Sequence, residues 1–255
     1  LEKADAKNAD MIIAVTRNDE TNMVVCQIAH SLFNVSRKIA RIRSKEFLKP
    51  AWKNLFSKEN LPIDIIISPE FEVAQSLYRK IEAPGAIDSI PFADELVRLL
   101  EIQIDEKCPL LNTSLSKLSE IFSDLQANVL GAIRKDKFII FKKTDKLLKD
   151  DKAFVLTNSK QVDRTLSIFG RDEKFAKTIL IIGAGNIGLD LAKLLEEDEQ
   201  KPRIKIIEKN PERAEKIATD LNEAIVIKGD GLDENLLKEI NIDEIDTVLA
   251  LTEDD

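Results

Sequence analysis

The sequence predicts an α/β protein made of Rossmann-like, doubly wound parallel sheet domains and a small α+β domain. Three observations predict this class. Apolar strand-like runs alternate with amphipathic helical patterns over residues 175–251. A glycine-rich loop directly follows the first of these runs. The first nineteen residues of the chain also match the last nineteen.

This match between the two ends has no gap. LEKADAKNADMIIAVTRND at residues 1–19 aligns with LKEINIDEIDTVLALTEDD at residues 237–255, an offset of 236. The identities include Asp10 with Asp246, Thr16 with Thr252 and Asp19 with Asp255. We interpret the match as a tandem repeat of a whole domain pair, longer than solenoid repeats. Two unrelated segments of acid, strand and threonine are the alternative.

The repeat divides the chain into three predicted parts. Residues 1–85 would be the C-terminal part of a first Rossmann-like domain. Residues 86–170 would be a small α+β domain. Residues 171–255 would be the N-terminal part of a second Rossmann-like domain, so the chain would begin midway through one copy and end midway through the next.

The second copy starts with FAKTILII at residues 175–182, which is continuously apolar, as a parallel strand covered on both faces requires. Further strands are predicted at Ile204–Ile207, Ala224–Ile227 and Thr247–Leu251, with helices over Asn186–Glu197, from Asn210-Pro211, and around Leu236 to Ile240. The order βαβαβαβ predicts a parallel sheet.

The other two parts show weaker patterns. For the first copy we predict strands at Met11–Val15, Lys38–Arg43 and Ile63–Ile67, and helices at Thr21–Phe33 and Glu72–Ile81. For the small domain we predict strands at Glu101–Ile104 and Ala153–Thr157, helices at Ser114–Phe122 and Lys160–Phe169, and a hairpin of Gln126–Arg134 with Phe138–Phe141. Asp88, Asp94 and Glu95 are interpreted as helix-start and surface carboxylates.

Composition argues against several classes of function. A net charge of −8 argues against nucleic-acid binding, which needs a basic surface. No apolar run approaches the roughly 18 residues of a membrane span, so no direct membrane insertion is expected. Cys26 and Cys108 lack metal-ligand spacing and predict reduced thiols rather than a metal site. His30, the one histidine, is interpreted as a packed or surface residue rather than a catalyst.

GAGNIG comprises Gly183, Ala184, Gly185, Asn186, Ile187 and Gly188. Gly183 would allow the tight turn, Gly185 the approach of a pyrophosphate, and Gly188 the close packing of helix on strand. The helix start would attract the phosphate. Glu208, twenty residues after Gly188, would accept ribose hydroxyls and favour NAD over NADP. A glycine turn that has lost its ligand is the alternative.

Other candidate nucleotide-binding residues lie at or just after the ends of predicted strands. Asp230 would contact the adenosine end of the ligand or serve only as a turn residue capping the next helix. Thr16 and Thr252 would lie at the carboxyl edge, where such sheets bind ligands, or merely end their strands. Arg41 would reach a phosphate or lie on a solvated edge.

The runs ILIIGAGNIG, IIEKNPERAEKIA, IVIKGDG and TVLALTEDD resemble the RCK (KTN) domain family, which regulates potassium channels and transporters. The run DMIIAVTRNDETNMVVCQIAHSLF, followed by IARIRS, is similar to the tandem RCK subunits of bacterial potassium uptake systems. The segment from Pro109 to Gly170 is similar to the ligand-binding C-terminal subdomain of the family.

The resemblance implies a non-enzymatic regulatory subunit in the cytoplasm, peripheral at the inner face of the plasma membrane. It would bind NAD(H), or ATP or ADP, assemble as a homo-oligomer and gate a membrane potassium-translocating subunit. It assigns nucleotide binding to the glycine loop and Glu208 in copy two, and to Thr16, Arg17 and Arg41 in copy one. An NAD-dependent oxidoreductase and an RCK tail of a potassium channel or antiporter are the alternatives.

Overall fold

A computed structural model describes residues 1–48, 50–52, 54–122 and 124–252. Its strands form three separate sheets. The chain divides into two compact units, Leu1–Ala74 and Gln75–Asp255. The first unit contains one sheet and the second contains the other two. The sheets fall within the three ranges expected from the sequence, while the domain boundaries themselves stay predictions.

The strands are β1 Met11–Ala14, β2 Arg37–Arg41, β3 Ile65–Ile67, β4 Asp88–Phe92, β5 Val97–Gln103, β6 Ala127–Arg134, β7 Lys137–Ile140, β8 Lys152–Asn158, β9 Thr178–Ile182, β10 Arg203–Glu208, β11 Ile225–Lys228 and β12 Thr247–Ala250. The α-helices are α1 Asp19–Phe33, α2 Pro69–Glu82, α3 Leu115–Ile121, α4 Val162–Ile168, α5 Asn186–Glu197, α6 Pro211–Asp220 and α7 Glu234–Glu239.

The first unit has a parallel sheet of order β1-β2-β3 covered by α1. Asn18 caps α1 by accepting a hydrogen bond from the Thr21 N–H at 2.6 Å. The second strand is shorter than the predicted Lys38–Arg43. The Ile42 N–H still donates to Ile67 O at 3.0 Å, but the N–H groups of Arg43 and Ser44 donate to Asp19 Oδ2, each at 2.8 Å.

The five-stranded sheet has the order β4-β5-β8-β6-β7 and is antiparallel. Its core includes Leu100, Ile102 and Val155, which are fully buried. The interpretation of Asp88 as a helix-start carboxylate is wrong, since Asp88 begins β4. Asp94 and Glu95 lie in the turn from β4 to β5, where the three consecutive residues Ala93, Asp94 and Glu95 have φ of 51°, 51° and 65°.

The predicted hairpin is confirmed as β6 and β7. Its two-residue turn is Lys135 and Asp136, with φ of 49° and 60°. Positive φ at both positions matches the right-handed twist of the flanking strands, as type I′ turns do. The turn thus sets the register in which Ala132 pairs with Ile139.

The four-stranded sheet is parallel with the order β11-β10-β9-β12. The predicted α/β class and doubly wound parallel sheet are confirmed. Ile179, Leu180 and Ile181 of β9 are fully buried, as the apolar run predicts. The chain moves outward from β9 to β11 and then returns to the other side of β9, which places a topological switch point between β9 and β12.

The repeat is visible in the structure. A 3₁₀ turn at Ala6–Asn8 precedes β1, and a 3₁₀ turn at Ile242–Glu244 precedes β12. Both turns, and both strands, are related by the offset of 236 residues. Of the sequence matches, Asp255 lies outside the described residues. Within the described part of the chain, no helix is both long and apolar enough to cross a bilayer.

Candidate dinucleotide site

The candidate site lies at the carboxyl edge of the four-stranded sheet, where several predicted residues are close together. The glycine loop follows β9, Glu208 ends β10, and Asp230 follows β11. Hydrogen bonds join these strand ends: the Gly183 N–H donates to Ile207 O at 2.9 Å, and the Gly229 N–H donates to Glu208 O at 3.0 Å.

Gly183 begins the loop with a φ of +94°. A Cβ at this position would lie 2.7 Å from Leu251 O and 3.1 Å from Thr252 N. The segment after β12 therefore passes directly over the loop, and the Leu251 N–H donates to Ile182 O at 2.7 Å. Only glycine combines this backbone conformation with so close an approach.

Gly188 is tightly packed, whereas Gly185 borders open space. A Cβ on Gly188 would lie 2.3 Å from Gly183 O, so the absence of a side chain lets α5 pack against the end of β9. A Cβ on Gly185 would meet no heavy atom of the described residues within 4 Å. Gly185 therefore borders open space on the side where the sequence predicts a pyrophosphate.

Helix α5 begins at Asn186, with Gly185 as its N-cap. Gly185 has no side chain that could accept a hydrogen bond from the first turn. The initial N–H groups of a helix have no partner within it, and its dipole favours an anion there. Asn186 is exposed, whereas Ala184 is buried. The start of α5 thus offers backbone donors beside the open space at Gly185.

Glu208 is 5% exposed and is tied to the loop itself. Its Oε2 accepts from the Ala184 N–H at 3.0 Å, and its Oε1 accepts from the Asn210 N–H at 2.8 Å. Arg213 Nη1 lies 3.8 Å from Oε2. A carboxylate oxygen has two lone pairs, so each oxygen has the capacity to accept a further hydrogen bond, such as one from a ribose hydroxyl. The sequence alone did not indicate that Glu208 positions the glycine loop.

Asp230 is partly exposed and pairs with Lys209, whose Nζ lies 2.8 Å from Asp230 Oδ2. The hydrogen bond from Lys209, together with one from the Leu232 N–H, lowers the pKa of Asp230. The alternative that Asp230 caps the next helix is wrong. Asp233 is the N-cap of α7, where it accepts from the Asn235 N–H at 2.9 Å.

In the first unit, Thr16 and Arg41 are brought together by Asn22. Asn22 is completely buried, and its Oδ1 accepts from the Thr16 N–H and hydroxyl at 2.8 and 2.7 Å. Its Nδ2 donates to Arg41 O at 2.9 Å, and Arg41 Nη2 donates to Thr16 O. Arg17 is exposed. Asn22 was missed because an asparagine inside a helical pattern gives no signal that it is buried.

His30 lies in the last turn of α1, whereas Thr16 lies just before the helix begins. The length of the helix therefore separates His30 from the carboxyl edge of the first sheet. Cys26 and Cys108 are buried free thiols. Among the described residues, no cluster of three His, Cys, Asp or Glu side chains could hold a metal ion.

Comparison with known families gives a clear assignment. The family model of the TrkA-N domain matches residues 1–69 and 179–255. The chain belongs to the TrkA-N domain family. The TrkA-C domain model matches residues 99–170, between the two TrkA-N segments. The resemblance noted from the sequence is thereby confirmed.

Relatives within this TrkA-N family include two bacterial proteins named Trk system potassium uptake protein TrkA. The protein of Azorhizobium caulinodans is 44% identical over 255 residues, which cover 100% of this chain and 56% of the relative. That of Vibrio alginolyticus is 39% identical and is covered to 55%. The chain thus spans a little over half the length of these relatives.

Solved structures support the TrkA-N fold. The GsuK RCK domain superposes with a TM-score of 0.61 at 18% identity, covering 98% of this chain and 50% of that one. The GsuK channel bound to NAD superposes with a TM-score of 0.63 at 17% identity, covering 98% and 42%. At these identities the likeness concerns the fold alone.

Proposed function

We propose that this chain is part of a cytoplasmic regulatory subunit that binds NAD(H) and controls a membrane potassium transporter. It carries out no chemistry on the nucleotide, and it acts as a homo-oligomer at the inner face of the plasma membrane. ATP and ADP are further candidate ligands, since they share the adenosine and phosphate groups that the site would hold.

One observation carries the proposal: the open space at Gly185 lies between the start of α5 and the loop that Glu208 holds. This arrangement suits a pyrophosphate on backbone N–H groups with a ribose near a carboxylate. The NAD bound to the GsuK channel, which has the same fold, supports the choice of ligand. The potassium uptake role named for the relatives supports the choice of process.

The candidate binding residues divide between the nucleotide sites of the two Rossmann-like domains. The backbone of Gly183–Gly188, Thr252 and Asp230 would contact the nucleotide of the second domain. Thr16, Arg17 and Arg41 would contribute to the nucleotide site of the first domain. Glu208 would contact ribose and, through the Ala184 N–H, also position the loop.

We expect regulation to arise because the nucleotide binds two arrangements of the sheet domains with different affinities. A nucleotide that binds one arrangement of the sheet domains more tightly than another shifts the population toward it. Coupling free energies of about 1–3 kcal/mol are typical and change the affinity of the coupled site between about 5- and 150-fold. Nucleotide binding is therefore sufficient to regulate the transporter without a chemical reaction. The distance of His30 from the carboxyl edge supports a role without proton transfer.

The test is potassium uptake in bacteria that lack their own regulatory subunit. The Gly185→Ala variant should fail to restore uptake, because a methyl group there occupies the pyrophosphate position while touching nothing else in the described residues. Glu212→Ala, on the exposed first turn of α6, is the matched control and should restore it. Full uptake with Gly185→Ala, at equal protein level, would exclude control through this site.

A further inference from the structure

One segment of the chain carries a charge opposite in sign to that of the whole. Residues 134–152 contain eight Lys or Arg and four Asp or Glu residues, a net charge of +4 in a chain of net charge −8. The segment comprises the turn of the β6–β7 hairpin, the edge strand β7 and the loop that leads to β8. Positive charge is thus concentrated at one edge of the five-stranded sheet.

Three of the eight cations form ion pairs within the chain. These pairs are Arg134–Asp151 at 2.7 Å, Lys149–Glu106 at 2.6 Å and Lys152–Glu101 at 3.9 Å. The other five cations are exposed lysines that form no ion pair with the residues that the structure describes: Lys135, Lys137, Lys142, Lys143 and Lys146. Their ammonium groups are therefore available to a partner outside the chain.

Two bulky apolar side chains are exposed on the same edge strand. Phe138 is 59% exposed and Ile140 is 76% exposed, and their spacing of two residues places both on one face of β7. The Phe138 ring packs edge-on against Phe154, with 5.6 Å between the ring centroids. Lysines on an edge strand protect it from pairing with another sheet, but that role does not account for an exposed phenylalanine and isoleucine beside them.

We propose that the five lysines, Phe138 and Ile140, together called the cationic edge, dock on the anionic surface of a lipid bilayer. Proteins that lie on bilayers place apolar side chains at the boundary between headgroups and acyl chains. The long stems of lysines let their ammonium groups stay at the level of the lipid phosphates, where attraction to anionic lipids adds to the apolar contact. The inference rests on the membrane location in the proposed function and names the surface that makes the contact.

The charge of the cationic edge favours a bilayer over a second copy of the chain as its occupant. In a symmetric dimer the same patch faces itself, so the five ammonium groups of each copy would meet those of the other. Like charges that face each other across an interface weaken it. An anionic bilayer instead presents phosphates to the lysines and an apolar layer to Phe138 and Ile140.

The test is flotation of the chain with lipid vesicles, without nucleotide or transporter. Vesicles of equal parts phosphatidylglycerol and phosphatidylcholine should bind the chain. Vesicles of phosphatidylcholine alone should bind it at least about tenfold more weakly, because they lack the net negative charge. Salt at about 0.5 M should release most of the bound chain, since screening shortens the reach of the lysine charges.

A matched pair of charge variants locates the docking surface. Lys137→Gln combined with Lys142→Gln and Lys143→Gln should weaken binding to the mixed vesicles by at least about tenfold. The control removes the same net charge from exposed positions in the second Rossmann-like domain and should bind as the parent does: Lys174→Gln, Lys216→Gln and Lys238→Gln.

A second pair of variants tests the apolar contact. Ile140→Ser should weaken binding by roughly threefold or more, because its exposed side chain no longer enters the apolar layer. Leu96→Ser, 69% exposed in the turn between β4 and β5 at the opposite edge of the sheet, is the control and should bind as the parent does. Both variants should keep the thermal midpoint of the parent, since both side chains are exposed.

Three results would overturn the proposal. They are equal binding to both kinds of vesicle, equal weakening by the two triple-lysine variants, or a dimer in sedimentation that Ile140→Ser dissociates. Potassium uptake separates this inference from the proposed function. Uptake restored by a parent that binds no vesicles would overturn the docking surface alone, whereas vesicle binding by a parent that fails to restore uptake would support docking and count against the regulatory role.

Discussion

At the residue scale, the three glycines of the loop have separable roles. Gly188 lacks space for a Cβ because Gly183 O would lie 2.3 Å away, whereas Gly185 has open space beside it. Sequence spacing predicted both roles, but it could not show that Gly183 is also covered by the segment after β12. That contact joins residues almost seventy positions apart.

Gly188→Ala should destabilise the protein by about 1–3 kcal/mol, because the new methyl group forces α5 away from β9. Urea denaturation measures the change in the free energy of unfolding. Gly185→Ala is the control in the same loop and should stay within about 0.5 kcal/mol of the parent, as substitutions away from packed features do. Equal stability of the two variants would contradict the packing role assigned to Gly188.

Glu208→Gln replaces one carboxylate oxygen by an amide nitrogen that cannot accept a hydrogen bond. The N–H of either Ala184 or Asn210 then loses its acceptor, which should cost about 1–3 kcal/mol of folding free energy. We also expect weaker NADH binding in a fluorescence titration, since the loop loses its support. Glu212→Gln, exposed on α6, should change neither quantity, and parent-like behaviour of Glu208→Gln would exclude its positioning role.

At the element scale, aspartates placed just before strands pair with the start of the neighbouring strand. Asp246 Oδ2 accepts from the N–H groups of Lys177 and Thr178 at 2.8 and 2.9 Å, at the start of β9. Asp64 Oδ2 accepts from the Lys38 N–H at 2.6 Å in the same way. An aspartate at such a position therefore supplies an acceptor for N–H groups at the start of the neighbouring strand.

Asp246→Ala should lower the free energy of unfolding by about 1–2 kcal/mol, because two N–H groups at the start of β9 lose their acceptor. Asp243→Ala, exposed in the preceding 3₁₀ turn, is the matched control and should have little effect. Chemical denaturation measures the free energy of unfolding of both variants. The same stability in both would mean that Asp246 is not needed to start the strand.

Glu196 near the end of α5 should make the protein sensitive to acid. Burial raises the pKa of its carboxyl, but hydrogen bonds from the N–H groups of Glu223, Asn222 and Ala224 outweigh burial and hold the pKa below its ordinary value of 4.5. The stability from these contacts is present above pH 4.5 and is lost as the pH falls through the lowered pKa.

Glu196→Gln should therefore lower the thermal midpoint at pH 7 and lose less stability than the parent when the pH falls below 4.5. Thermal denaturation across this pH range measures both effects. Glu197→Gln is the control, since none of these three N–H groups contacts it. Parallel pH profiles for the parent and Glu196→Gln would contradict the assignment.

At the scale of the whole molecule, the repeat and the parallel class could be predicted from sequence because both depend on local patterns. The offset of 236 residues recurs in the bounds of β1 and β12 and of the turns before them. Strand β4 could not be predicted, because DSIPF combines an acid and a proline with few apolar residues. The hydrogen-bond network of Thr16, Asn22 and Arg41 also depends on tertiary contacts that no sequence spacing predicts.

The candidate site was predicted in its residues but not in all of its contacts. The glycine loop, Glu208 and Asp230 meet at one edge of the sheet, as expected. Lys209 and Arg213 also lie at this edge, and no sequence pattern had indicated a role for them. Their positive charges would attract the 2′-phosphate of NADP, whereas the Glu208 carboxylate would repel it, so the proposed preference for NAD should be measured directly with both cofactors.

The central claim is that a dinucleotide lies with its pyrophosphate against Gly185. Titration of the chain with NADH, followed by the fluorescence of the bound nicotinamide, tests it most directly. The parent should bind saturably, and Gly185→Ala should bind at least about tenfold more weakly with an unchanged thermal midpoint, a loss of about 1.4 kcal/mol. Equal affinity in the two proteins would contradict the claim, because the added methyl group occupies the position assigned to the phosphates.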